Sequence, residues 1–295
     1  QAVQELKHDE YSLKHFLSGF RLSYRDREAQ IVPFLYLPED LEYELMLRLV
    51  KLQLKQLPTV ALNHPKPSET QMDMARKRGQ DAPATGFDWI QHKNALGSLF
   101  AIQLTDIKLE SPIPPQAKAL LVVNPRGFSQ RQRYEIERYL CGGGNVILFA
   151  SPFAIENRGR WIAEARPSGL EEWLADLGVT LSNRFLCDQS CVMKTERGEE
   201  GQPEQRNNPY YVLIDPKNMS KESVLTRHVP PPGFVMPYPA LLELDPKRLK
   251  EHGLECVVLA KSSERIWQEE FQQLPAINTE QMAAANGIKF PYTIY

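Results

Sequence analysis

Long apolar runs, clustered cysteines and an excess of one charge are all missing from this chain of 295 residues. Its formal net charge is −2, so we expect no strong attraction to nucleic acid or to an anionic membrane surface. No run approaches the ~18 apolar residues that a membrane-spanning helix requires, and no signal peptide opens the sequence. The chain begins at Gln1 without an initiator Met, and we expect a processed product or a piece of a longer protein.

Cysteine is sparse, with four residues at Cys141, Cys187, Cys191 and Cys256. That number is too low for a disulfide scaffold, and no pair of Cys-x-x-Cys motifs is present. Cys187 and Cys191 lie close together in the sequence, which is consistent with a disulfide, half of a metal site or two separate thiols. Cysteine usage therefore leaves the redox compartment open.

What the sequence does contain is a central strand–helix–strand pattern. Residues 119–123 are apolar and β-branched, as in a strand buried on both faces. Ser129 and Gln132 predict a capping box at the start of a helix of about 12 residues, which Gly142 ends together with the two glycines that follow it. Residues 146–149 form a second apolar strand. The pattern predicts a right-handed βαβ unit with parallel strands.

Other segments of the chain also have recognisable patterns. We predict a hairpin that joins residues 20–24 to a strand at Ile31, and a helix of about 17 residues that buries Leu41, Leu45, Leu49 and Leu52. Further strands are predicted at 59–62, 101–109, 179–181, 210–214, 234–244 and 256–260. Helices are predicted at 87–100, after a Ser168/Glu171 capping box, and at 264–271. Loops are predicted at 64–88, after Pro152, and at 195–209, where breakers are frequent and apolar residues few.

This alternation of strands and helices predicts an α/β fold: a doubly wound, mostly parallel sheet of the flavodoxin-like type, with antiparallel N- and C-terminal additions. We expect residues 1–38 to form an N-terminal β hairpin segment packed on the core. Residues 39–190 form the α/β core domain, and residues 191–295 supply strands and loops that complete the same domain.

Polar residues lie where predicted strands end, which is where ligands bind in open parallel sheets. Asn63, Asn124 and Ser151 mark three such ends. Arg126 and Ser129 precede a helix N-terminus, a position that favours anions. The sequence therefore predicts a ligand site at these five residues, although turn hydrogen bonds and helix capping explain the same residues without a ligand.

Recognisable catalytic and metal-binding patterns are weak. Cys141 stands at a helix C-terminus, where the dipole disfavours a thiolate, and not on a strand-to-helix elbow. The glycines after it follow a helix, unlike a phosphate-binding loop. Cys187, Asp188, Cys191 and His228 make a poor zinc motif, and His64, His92 and Asp88 make a poor acid/base group. We predict no catalytic residue, no metal site and no cofactor.

Several short segments in a shared order resemble the extracytoplasmic auxiliary component of gliding-motility-type ABC transporters. The resemblance extends over about residues 11–270. The segments that carry it are 19–24, 31–34, 41–45, 121–129, 136–153, 170–179, 236–244 and 259–267. The family often has Asp-Pro where this chain has Ser151-Pro152. Any ligand role that depends on the family's aspartate carboxylate is therefore in doubt for this chain.

The resemblance implies a glutamine-amidotransferase-like α/β domain without the catalytic triad, related to the intraflagellar-transport GIFT domain. It implies a periplasmic location, with anchorage to the cytoplasmic membrane through segments outside this sequence. The implied partners are ABC transporter permease and ATPase subunits, and a polysaccharide or cell-envelope protein, with no nucleic acid.

Three functional hypotheses follow. The first is a non-enzymatic accessory domain of an ABC transport system that binds a partner protein or a polysaccharide-like ligand. The second is a divergent amidotransferase-like hydrolase that uses Cys141 or Cys187 as its nucleophile. The third is a pure assembly module without a small ligand.

Overall fold

The computed structural model describes residues 2–7, 10–15, 19–33, 41–65, 73, 76–77, 79, 101–157, 161–197 and 202–270. Internal contacts divide the chain into two units. The first comprises Gln1–Val122 and Tyr134–Ile147, and the second comprises Val123–Arg133 and Leu148–Tyr295. The boundaries predicted at residues 38 and 190 remain a prediction. The helix predicted at 87–100 and most of the loop predicted at 64–88 lie outside the described residues.

The first half of the chain contains two pairs of antiparallel strands and a four-stranded sheet with helices. Its elements are β1 (Ala2–Lys7), β2 (Glu10–His15), β3 (Phe20–Leu22), β4 (Gln30–Val32), α1 (Leu41–Gln53), β5 (Thr59–Asn63), β6 (Gln103–Asp106), β7 (Ala117–Val123), α2 (Gln130–Cys141) and β8 (Asn145–Phe149). β1 pairs antiparallel with β2, and β3 pairs antiparallel with β4. The predicted hairpin between residues 20–24 and Ile31 is therefore confirmed.

A parallel sheet in the order β6-β5-β7-β8 confirms the α/β class. β5 pairs in parallel with both β6 and β7. Leu62, Leu120 and Val122 are fully buried, so the two central strands have the apolar composition of strands covered on both faces. β8 confirms the strand predicted at 146–149, and it is an edge strand whose Ile147 and Phe149 are half exposed. The doubly wound arrangement remains a prediction.

Local signals set both ends of α2. The Ser129 hydroxyl accepts the N–H of Gln132 at 3.3 Å, and the Gln132 side chain accepts the N–H of Ser129 at 3.0 Å, which is the predicted capping box. At the other end, Gly143 takes a positive φ of 80° and the Gly144 N–H donates to the Tyr139 carbonyl at 2.9 Å. The helix covers 12 residues, as predicted.

The predicted apolar stripe on α1 is only partly correct. Leu52 is buried together with Leu47, whereas Leu41 and Leu49 are exposed by 44% and 38%. The helix ends at Gln53, earlier than predicted. Leucine is frequent all around this helix, so its spacing in the sequence did not identify the buried face.

The second half of the chain is mostly antiparallel. Its elements are β9 (Phe153–Asn157), β10 (Trp161–Ala165), α3 (Glu171–Asp176), β11 (Val179–Asp188), β12 (Cys191–Arg197), β13 (Pro203–Ile214), β14 (Phe234–Pro237), β15 (Ala240–Leu244), α4 (Pro246–Glu251) and β16 (Ile266–Glu269). The described strands form a β9–β10 hairpin and two sheets, in the orders β15-β11-β16 and β12-β13-β14. These sheets match the predicted C-terminal antiparallel addition.

An aromatic cluster forms the core of the second unit. Phe185 of β11 lies 4.4 Å from the ring centre of Phe153 and 5.7 Å from that of Tyr210. Cys187 and Trp267 complete the buried set, and Tyr238 packs against it. Four strands of the unit each contribute at least one of these buried side chains, so the cluster joins both three-stranded sheets and the β9–β10 hairpin.

Four predicted segments are wrong in this unit. The loop after Pro152 is the β9–β10 hairpin, and the loop at 195–209 is largely the pair β12 and β13. These strands are held by backbone ladders, which do not require apolar side chains. The helix at 264–271 is the strand β16, because its backbone pairs with β11. The strand at 256–260 is an isolated bridge at Ala260 with Met219.

Candidate functional site

Asn63 ends β5 in the first unit and is buried, with 8% exposure. Its Nδ2 donates to the carbonyl of Ile107 at 2.9 Å, and the Ile107 N–H donates to the Leu62 carbonyl at 2.8 Å. The side chain therefore ties the end of β5 to the residue that follows β6. This contact accounts for the buried amide, because buried polar groups need hydrogen-bond partners.

His64 is the next residue and faces a carboxylate that the sequence analysis did not connect with it. Its Nε2 lies 3.7 Å from Oδ1 of Asp106, and its Nδ1 lies 3.1 Å from the Pro65 carbonyl. His64 was grouped with His92 and Asp88 by prediction, and those two residues lie outside the described part of the chain. His64 and Asp106 could have been linked through parallel pairing of β5 and β6, because such pairing places the carboxyl ends of the two strands side by side.

The loop after β7 belongs to the second unit and holds three of the predicted residues. Asn124 has a positive φ of 46°, a conformation that asparagine tolerates better than most residues, and its N–H donates to the Phe149 carbonyl at 2.7 Å. Arg126 is half buried. Gly127 and Phe128 donate their N–H groups to the carbonyls of residues 167 and 168. The loop is thus fixed at both ends by backbone bonds.

Ser129 and Ser151 have structural partners. Ser129 is exposed and its hydroxyl is used in the capping box of α2. The Ser151 hydroxyl accepts the N–H of Phe153 at 3.2 Å, a turn bond at the start of β9. Asn124 and Ser151 lie at neighbouring strand ends, because the Asn124 N–H reaches Phe149. The second unit therefore brings these two positions together, and Asn63 belongs to the first unit.

The cysteines are four free thiols. Cys187 lies in the aromatic core, where burial followed by the nearby Glu269 raises the pKa of its thiol strongly. Burial also raises the pKa of Cys191, to about 11. Because the thiolate is the reactive form, neither site favours nucleophilic attack at neutral pH. Cys141 is exposed at the end of α2.

The carboxylate of Asp188 is fully buried at the end of β11. It accepts the N–H of Ser190 at 2.8 Å and both the N–H and the hydroxyl of Ser263, at 2.7 and 2.5 Å. These bonds fasten the segment before β16 to β11. Asp188 was considered as a zinc ligand, and its oxygens instead serve this structural connection.

Metal and membrane motifs can be tested within the described ranges. There, His, Cys, Asp and Glu side chains do not gather in groups of three or more that could hold a metal ion. Every helix in those ranges falls short of the length and apolar character that crossing a bilayer requires.

Sequence reasoning missed an apolar groove of about 810 Å³ in the second unit. Its walls come from β13, from residues 239–244 and from residues 256–260. Val257 and Leu242 are exposed by 68% and 55%. The apolar run at 256–260 was a signal for this groove, but it was interpreted as a strand.

Comparison with known proteins identifies a family. A family model described as "ABC-type uncharacterized transport system" matches residues 79–293, which is about three quarters of the chain. No curated protein and no solved structure matches the chain.

Proposed function

The chain belongs to the ABC-type uncharacterized transport system family, and from this premise we propose that it is a non-enzymatic accessory domain which binds other components outside the cytoplasmic membrane. Membership implies association with an ABC transport system as an auxiliary component. The observation that carries the proposal is the length of the family match, residues 79–293. It includes the central βαβ unit and all of the described antiparallel sheets of the second unit.

The finer assignment belongs to the same proposal. The domain is of the gliding-motility type, has a doubly wound glutamine-amidotransferase-like core related to the GIFT domain, and lies in the periplasm. Its partners are the permease and ATPase subunits, and its ligand is polysaccharide-like. The parallel order β6-β5-β7-β8 supports such a core, since doubly wound domains are built on parallel sheets.

We propose that the domain has no catalytic activity because its buried cysteine thiol resists ionisation. Cys187 is the buried candidate nucleophile, and its raised thiol pKa opposes formation of the thiolate. If the domain were a hydrolase that uses a cysteine, Cys141→Ser or Cys187→Ser would abolish transport in a complementation assay. We expect Cys141→Ser to retain transport, and Cys187→Ser to retain it wherever the protein remains folded.

Association with the transporter is tested by co-purification of the full-length protein with the permease and ATPase subunits of an ABC transport system. We expect the three proteins to elute together in detergent, and a tagged unrelated periplasmic protein to elute without them. Recovery of the permease and ATPase without this chain would refute the proposal.

The periplasmic location is tested by adding protease to spheroplasts. Cleavage of the domain before lysis is expected, and protection until lysis would contradict a periplasmic domain.

A further inference from the structure

A second groove lies in the first unit, and none of the residues predicted to bind a ligand is among its described lining residues. It is bounded by the β3–β4 turn, the end of α1 and the first residues of β5 and β6, and its volume is about 1380 Å³. Pockets for single small molecules usually measure about 300–1,000 Å³. The groove is therefore large enough for a segment of a polymer. We call it the cationic groove.

Its charge is opposite in sign to that of the chain. Among the described residues that line it, Arg27, Lys51 and Lys55 carry positive charge and Glu28 carries negative charge, whereas the chain as a whole has a net charge of −2. The Arg27 guanidinium donates to the carbonyl of Leu54, which fixes one positive group on the wall. Concentrated positive charge in a concave site attracts anions more strongly than the same charge on a flat surface.

The Lys51 ammonium is affected both by burial and by a neighbouring cation. Partial burial, followed by the nearby Arg48, lowers the pKa of the Lys51 ammonium, and Glu44 opposes this effect only in part. Glu44 is itself engaged by Arg48, with an N–O distance of 3.0 Å. An anionic group bound in the groove would favour the charged form of Lys51.

Amide side chains make up much of the remaining polar lining. Gln30, Gln56, Gln103 and Gln116 border the cationic groove. A carboxamide donates and accepts hydrogen bonds, so it suits hydroxyl groups, which do the same. The described residues that line the groove include no aromatic side chain, and stacking on aromatic rings is the usual means of holding nucleic acid single strands.

We infer that the cationic groove binds an acidic polysaccharide. The two lysines and Arg27 pair with its carboxylates, and the glutamines bond its hydroxyl groups. The inference deepens the polysaccharide-like ligand of the proposed function, on which it rests for the ligand class. Peptide groups also donate and accept hydrogen bonds, so an acidic protein segment is the alternative that the experiment must distinguish.

Calorimetric titration of the full chain with polygalacturonate tests the inference, with dextran as the neutral glycan and polyglutamate as the acidic peptide. We expect polygalacturonate to bind, with an affinity that falls as salt rises, and dextran and polyglutamate to bind at least about tenfold more weakly. The double variant Lys51→Gln/Lys55→Gln should lose about tenfold or more in affinity. Lys221→Gln/Lys250→Gln makes the same charge change on the second unit and should bind as the parent does.

Each other outcome overturns the inference. Equal losses in the two double variants would indicate attraction to overall charge alone. Tighter binding of polyglutamate would assign the groove to an acidic protein segment. Absence of polygalacturonate binding, with both variants folded by circular dichroism, would refute a glycan site. The groove variant is expected to keep co-purifying with the permease, so failure here is distinguishable from failure of the transporter association.

Discussion

At the scale of single residues, Glu171 shows how backbone donors hold a half-buried charge. Its carboxylate accepts the N–H groups of Ser168 and Gly169, at 2.5 and 2.9 Å. Burial opposes ionisation of this group, but these N–H groups, its own N–H and the Ser168 hydroxyl outweigh burial and lower the pKa of Glu171. The charged form is therefore the one that stabilises the start of α3.

We expect Glu171→Gln to reduce the free energy of unfolding at pH 7 by about 1 kcal/mol, as loss of a helix cap does. Because the folded pKa lies below the ordinary value near 4.5, the contribution is complete above that value and is lost as the pH falls through the folded pKa. Urea unfolding at pH 7 and in steps below pH 4.5 measures it. Glu172→Gln removes the same charge from an exposed neighbour, and an equal loss there would contradict the assignment.

The individual candidate residues could be placed from the sequence, because their signals are local. Asn124, Ser129 and Ser151 lie at strand ends or a helix start, where short-range patterns put them. Their hydrogen-bond partners could be anticipated only for Ser129, whose partner is three residues away. The partner of Asn63 is Ile107, 44 residues away, and no local pattern links the two.

At the scale of elements, the end of α2 depends on one close approach. A Cβ on Gly144 would lie 2.3 Å from the ring of Tyr139, whose hydroxyl donates to the Ala117 carbonyl at 3.0 Å. The ring therefore has little freedom to move aside. A Cβ on Gly142 would meet only carbonyl oxygens, at 3.4 Å.

We expect Gly144→Ala to destabilise the protein by about 1–3 kcal/mol, the usual cost of overpacking. Gly142→Ala is the matched control and should change stability by less than about 0.5 kcal/mol. Thermal unfolding followed by circular dichroism compares the two. In the background of Tyr139→Ala, the penalty of Gly144→Ala should largely disappear, and a penalty that persists would refute the steric explanation.

Elements with local signals were predictable, and elements defined by distant pairing were not. α2 has its capping box, its glycines and a buried Ile136 within the helix or directly beside it. Two of the four residues of β16 are polar, and the residues at 264, 268, 269 and 270, in the strand or beside it, favour a helix. Trp267 is nevertheless buried and pairs with Cys187 of β11, because tertiary pairing overrides weak propensity.

At the scale of the whole molecule, the four free thiols differ in exposure, and the two less exposed ones report on folding of the second unit. Cys141 and Cys256 are exposed, Cys191 is partly buried and Cys187 is buried. We expect two thiols to react quickly with a disulfide reagent in native protein, Cys191 to react slowly because its pKa is about 11, and Cys187 to react on unfolding.

The absorbance of the thiol released from the reagent measures how many cysteines react quickly, slowly or only on unfolding. Cys256→Ser should remove one fast equivalent, and Cys187→Ser should remove one equivalent that appears only in denaturant. Fewer than four thiols in denaturant without reductant would reveal a disulfide and contradict the free cysteines.

The molecule-scale arrangement of the candidate site was beyond the sequence. Asn63 groups with the first unit, whereas Asn124, Arg126, Ser129 and Ser151 group with the second. A pattern of strand ends predicts that polar residues share an edge of a sheet, but it carries no information on how contacts divide the chain. The cationic groove could not be predicted from the sequence either, because Arg27, Lys51 and Gln103 come together only through folding.

The position of β11 has a consequence for synthesis of the protein. β11 lies between β15 and β16, and it makes contacts with residues up to 86 positions later in the chain, as between Ser182 and Gln268. At about 5–20 residues per second, a ribosome needs several seconds to produce those partners. During this interval Phe185 and Cys187 lack Trp267, so the nascent chain presents an apolar strand to which a chaperone can bind before translation supplies its last neighbour.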